Sequence, residues 1–196
     1  MRWYSTFVAA VSEVTAGRPL PPAATAAFES LAGHVLPTID RNGSLLADAV
    51  ARGLGRDRVV SNAAVLLFGG IETTEGMILN LLWHLLHHPG LLAAVRADPD
   101  LLPNAVEESL RLEPAAAVVD RYATRDAELA GAAIRRGDPV TVSLAAANRD
   151  PAIFPDPDTF DVHRPNSRQH LAFAHGPHFC PAMDLARLET LIASAP

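Results

Sequence analysis

Cysteine is almost missing from this chain of 196 residues; Cys180 is the only one. An internal disulfide is therefore excluded, and the chain suits a reducing cytoplasm. Aromatic side chains make up only 6% and charged ones only 19%. Basic residues are outnumbered by acidic ones, 16 against 22, for a formal charge of −6. That balance argues against nucleic acid as a partner. No uninterrupted apolar run reaches about 18 residues, so no membrane span is expected. The apolar run near the start is too short for a secretory signal. There is no internal repeat and no low-complexity tract. What the chain does have is 49% apolar content and 16 prolines, enough for a globular core punctuated by loops.

The periodicity is mainly helical. A first helix is predicted over 2–16, with Trp3, Phe7, Ala10 and Val11 on one side, and a second over 23–39. Arg41, Asn42, Gly43 and Ser44 read as a turn, followed by a short helix over 45–54. One long pattern then runs from 57 to 88, on the order of 45–50 Å at the helical rise. Its apolar run over 63–71 predicts burial. Helices over 91–98 and 101–112 follow. Residues 117–124 are extended. Residues 128–142 read as a hairpin turning at Arg136, Gly137 and Asp138. The proline-rich stretch 148–161 carries Phe154 and Phe160, which argue for a packed irregular loop and not a linker.

Chemistry concentrates in two places. Gly176 and Pro177 break the backbone before Cys180, and Pro181 is placed to open a helix. A cysteine at a helix mouth is stabilised as thiolate by the dipole, although a lone cysteine is commonly just a small buried hydrophobe. A zinc reading of His170, His175, His178 and Cys180 lacks the paired spacing of structural sites. The second place is Gly69, Gly70, Ile71, Glu72, Thr73 and Thr74 inside the long helix. Two interior glycines cost roughly 1 kcal/mol each against alanine. They mark either close helix packing or a ligand lying against them, with threonine hydroxyls bending the ladder locally. His84, His87 and His88 have metal-compatible spacing, but near a helix end they suit the free carbonyls. Glu108 and Arg111 form an i,i+3 pair worth about 0.2–0.5 kcal/mol if exposed.

The order Phe173, Gly176, His178, Cys180, Leu185, Ala186 and Arg187 resembles the haem-ligand loop of cytochrome P-450, with Ala174 and Ala182 where that family has glycine. Residues 69–74 resemble its distal-helix motif, and Glu108 with Arg111 its E-x-x-R helix. The resemblance implies a mainly α fold with small β hairpins, the cytochrome P-450 fold. It implies that residues 1–196 are the C-terminal portion of one such domain, without the N-terminal half and the final hairpin. It implies haem b with Cys180 as axial thiolate, which donates electron density that favours O–O cleavage.

The resemblance further assigns Gly69, Gly70 and Phe173 to the haem surroundings. His178 and Arg121 would meet the propionates, and Glu72 and Thr73 would relay protons during dioxygen activation. Arg164 would join Glu108 and Arg111 in a buried network, with Glu107 as a solvated neighbour. Small apolar residues over 115–119, where the family often contacts substrate, imply an apolar small molecule. The implied reaction is monooxygenation, hydroxylating or epoxidising that molecule with electrons from a ferredoxin-type donor, in the cytoplasm and without a membrane. The competing implication is a catalytically inactive haem-binding or interaction fragment.

Overall fold

The structure, a computed structural model, describes residues 2–41 and 43–195; Asn42 of the expected turn lies outside the described residues. Contacts divide the chain into two units, Met1–Glu72 and Thr73–Pro196.

In the first unit, helix α1 spans Arg2–Thr15 and α2 spans Pro22–Ile39. Pro22 occupies the first turn of α2, where a missing N–H costs nothing. Helix α3, Leu45–Ala51, is capped by Ser44, whose hydroxyl accepts from the Ala47 amide at 3.0 Å. It stops before the predicted end at 54 because Gly53 turns left-handed, with φ of +92°. Helix α4, Arg56–His87, is the long one, with 32 residues. Its Val59, Val60, Ala63 and Ala64 pack with Leu31, Val35 and Ile39 of α2 in one apolar cluster.

Burial does not continue along α4 as its composition predicts. Val65, Leu66 and Ile71 are exposed. A helix turns about 100° per residue, so an unbroken apolar run points all round while packing covers one side. By length and composition alone α4 is apolar enough to cross a membrane, a test that core helices of soluble proteins also pass.

In the second unit, the later turns of α4 place Met77, Leu81 and Leu85 on one face. They pack with helix α5, Pro89–Ala97, and helix α6, Leu102–Leu112. Strand β1, Val118–Tyr122, pairs antiparallel with β4, Pro139–Ser143, and β2, Ala127–Leu129, pairs with β3, Ala132–Ile134. The expected hairpin is thus corrected. Its tight turn is Ala130 and Gly131, both at positive φ, whereas Arg136, Gly137 and Asp138 lead the chain back to β1. Helix α7, Leu144–Ala147, follows β4, and α8 spans Met183–Ser194.

The proline-rich stretch is packed as predicted, with Phe154 and Phe160 buried. Glu108 and Arg111 are both fully buried and joined by two hydrogen bonds of 2.8 Å. Arg111 also donates to the carbonyls of Asn148, Pro157 and Thr159. Arg164 donates to Glu108 at 2.8 Å and to the carbonyls of Pro155, Asp156 and Thr159. Two guanidinium groups therefore satisfy loop carbonyls that no strand or helix pairs. Replacing Arg111 with alanine would leave a buried carboxylate with only one of its two guanidinium partners and take the donor from three loop carbonyls. The expected loss in chemical denaturation is about 3–5 kcal/mol; a loss below about 1 kcal/mol would mean that the pair behaves as a surface bridge.

Candidate functional site

The loop that carries Cys180 is closed on itself. The Cys180 amide donates to the carbonyl of Phe173 at 3.0 Å, and the Phe179 amide to that of Gly176 at 3.0 Å. Phe173 is buried in the core, and Cys180 is partly buried and packs against that core. Two residues make the bend, Gly176 at φ +79° and Ala174 at φ +61°. Glycine adopts this region freely; alanine pays for its Cβ. Helix α8 begins at Met183, so Pro181 stands two residues ahead of it, in a turn with Ala182. The expected placement of Pro181 in the first helical turn is corrected: the Ala182 carbonyl takes the first helical bond, from Ala186 at 2.9 Å.

His178 lies exposed in a 3-10 turn over Gly176–His178. Arg121 is exposed on β1, where its Nη1 donates to the Asp120 carbonyl at 2.8 Å. Both present cationic or donor groups at the surface. Glu72 is exposed on α4, Thr73 is partly buried and Thr74 is buried. A Cβ built on Gly69 or Gly70 would meet nothing within 4 Å. Close helix packing therefore does not account for these glycines among the described residues.

The histidines separate by role. His87 and His88 bond the carbonyls of Trp83 and His84 through Nδ1 at 2.8 and 2.7 Å, as a helix end favours. His84 is buried, with neither ring nitrogen bonded among the described residues, and its ring stacks on Phe160 at 4.6 Å. Burial lowers its pKa. No group of three or more metal-ligating side chains occurs among the described residues, which leaves the zinc reading without support.

Glu107 overturns its expected solvation, being only 2% exposed. It accepts from Arg187 Nε at 2.6 Å and Nη2 at 2.9 Å, and it pairs with His170 Nε2 at 3.0 Å. His170 Nδ1 accepts the Ala172 amide at 3.1 Å, so Nε2 carries the hydrogen and donates to Glu107. Arg187 also lies over the Phe173 ring at 4.8 Å. Burial alone would push the Glu107 carboxyl up; the bonds from His170 and Arg187 outweigh it and hold the pKa at about 2. No local spacing signals this set, because its members lie far apart in the chain.

The family model for cytochrome P450 matches residues 44–195. The chain is 50% identical over 127 residues to a putative cytochrome P450 140 of Mycobacterium tuberculosis, covering 65% of this chain and 29% of that protein. It is 46% identical over 149 residues to a vitamin D3 dihydroxylase of Streptomyces griseolus, covering 75% of this chain and 36% of that protein. The solved structure of P450BioI, in complex with acyl carrier protein ligated by hexadec-9Z-enoic acid, matches with a TM-score of 0.83 at 34% identity, over 98% of this chain and 51% of that one. The chain thus spans about a third of the length of these curated relatives.

Two outcomes test the loop and its anchor. Ala174→Gly is expected to raise stability by about 0.5–1 kcal/mol, the strain relieved less the extra unfolded freedom of glycine. Ala182→Gly, at φ −98°, should give no gain; equal effects in thermal denaturation would contradict the backbone argument. The Glu107 carboxyl has a folded pKa of about 2 against 4.5. Its stabilisation is complete above pH 4.5 and is lost as pH falls from 4.5 towards 2. Glu107→Gln should flatten the fall in denaturation midpoint across that window.

Proposed function

The chain belongs to the cytochrome P450 family, and we propose that it carries the thiolate side of a haem monooxygenase acting on an apolar small molecule. The observation that carries this reading is the Cys180 loop, closed by the Cys180–Phe173 backbone bond and leaving the cysteine partly exposed. A sulfur held on a defined loop at the edge of an apolar core suits a thiolate ligand to haem b, and no competing metal-ligand cluster occurs among the described residues. Bound haem would supply dioxygen activation, and Cys180 would hold it as a thiolate, a donor that favours O–O cleavage.

The chain's own residues take the remaining roles by the family pattern. Arg121 and His178, both exposed, would hold the propionates, for which guanidinium–carboxylate geometry is well suited. Phe173, buried in the core, accepts from the Cys180 amide through its carbonyl and would stand beside the haem. Gly69 and Gly70 leave open space beside the helix, as a flat ligand needs. Glu72, exposed on α4, and the Thr73 hydroxyl, which can both donate and accept, would form the proton relay.

An apolar substrate agrees with the small residues over 115–119 and with the fatty acyl and vitamin D3 names among the similar proteins. A ferredoxin-type donor and a cytoplasmic setting complete the proposal, without nucleic acid or a membrane. Residues 1–196 would be the C-terminal portion of a single domain, supported by a match over 98% of this chain to 51% of a solved one. The second reading, an inactive haem-binding or interaction fragment, is favoured by exposed Leu185, Leu188 and Ile192 on α8.

The test is spectroscopic. The protein is mixed with haem, reduced and exposed to carbon monoxide. A red-shifted, thiolate-type Soret band is expected, and Cys180→Ala should abolish it. If the band survives that substitution, the ligand assignment is wrong; if wild type takes up no haem, the enzyme reading fails. Turnover with a redox partner then separates monooxygenase from binding fragment.

A further inference from the structure

The loop around Cys180 has little regular structure of its own. It holds one closing backbone bond, a 3-10 turn and two left-handed residues. What fixes it must come from its two ends. His170 stands just ahead of the loop and Arg187 lies on α8 just after it. Both end on one carboxylate. Glu107 Oε2 pairs with His170 Nε2 and Arg187 Nη2, and Oε1 with Arg187 Nε. Phe173 is gripped in the same place, with the His170 ring at 5.8 Å and the Arg187 guanidinium at 4.8 Å from its ring. Its carbonyl in turn takes the Cys180 amide.

We infer that Glu107 is the positioning residue of the Cys180 loop, tying the strap before it and the helix after it to α6 through a single buried carboxylate. This is separate from the neighbouring Glu108, whose partners are Arg111, Arg164 and the amide of Asp161. Glu108 organises the proline-rich stretch; Glu107 organises the sulfur. A buried carboxylate with three charge-assisted donors is rigid because any displacement leaves charge unpaired in a dry site. Reactive groups need supporting contacts that hold them to a fraction of an ångström. The meaning of this for haem rests on the proposed function, but the clamp itself does not.

The test is therefore read first without haem, by amide hydrogen exchange on the full chain. Glu107→Gln keeps the shape and removes the charge. At least tenfold faster exchange is expected at the Cys180 amide, while the β1–β4 and α6 amides stay within twofold of wild type. Unchanged protection at Cys180 would overturn the inference. So would a uniform rise across α6 and the strands, which marks loss of global stability only. Should Glu107→Gln fail to fold, Arg187→Lys and His170→Asn carry the same expectation at one anchor each. In haem-loaded protein, these variants should shift the reduced carbon monoxide spectrum from the thiolate-type band towards the non-thiolate one. Wild type that fails to bind haem would sink the enzyme reading and leave the exchange result to stand by itself.

Discussion

Two adjacent carboxylates on α6, Glu107 and Glu108, are removed from water; Glu108 meets Arg111 and Arg164, and Glu107 meets Arg187, His170 and, at 4.0 Å, Arg168. A lone buried carboxylate would be prohibitively costly. Here each cost is offset by charge-assisted hydrogen bonds that reach across the second unit. Adjacent positions on a helix point about 100° apart, so one residue gathers the proline-rich stretch and the other gathers the cysteine segment. Helix α6 thereby becomes the frame on which two irregular segments take defined shapes. Apolar burial by Leu102, Ala105, Val106 and Leu110 holds the helix itself in place.

The cysteine loop is one of the two segments held by this frame. Its backbone includes an alanine in the left-handed region, a conformation that persists only when surrounding contacts over-determine it. The strain is local and modest, while the anchors are charged and buried. A partly exposed sulfur on such a loop differs from a structural cysteine, which would normally sit fully within the core. Defined backbone with an accessible sulfur is what the role proposed for Cys180 needs.

The apolar surfaces have a different logic. Val65, Leu66 and Ile71 on α4, and Leu185, Leu188 and Ile192 on α8, are exposed in spite of their chemistry. Beside Gly69 and Gly70 there is open space. On α8 the exposed residues follow the cysteine segment. Their exposure accompanies a chain that matches about half the length of the solved structure it resembles.

Much of this was legible in the residues. Helix positions followed from apolar periodicity, and Phe154 and Phe160 marked the proline-rich stretch as packed. The Glu108, Arg111 and Arg164 set, like the cysteine loop, was recognisable through its family pattern. Other features depended on pairing that no local window contains. Glu107 read as solvated because its partners, His170 and Arg187, are 63 and 80 residues away in sequence. The hairpin was misplaced because β4 pairs with β1 and not with its neighbour β3.

Composition and spacing by themselves determined the helical class, the lone sulfur and the order of the motifs, because those depend on residues close together along the chain. Tertiary structure alone decided which charges are buried, which strands meet and which apolar side chains face solvent. The physical reason is that desolvation and pairing are properties of what surrounds a group in space, and those surroundings come from distant parts of the chain.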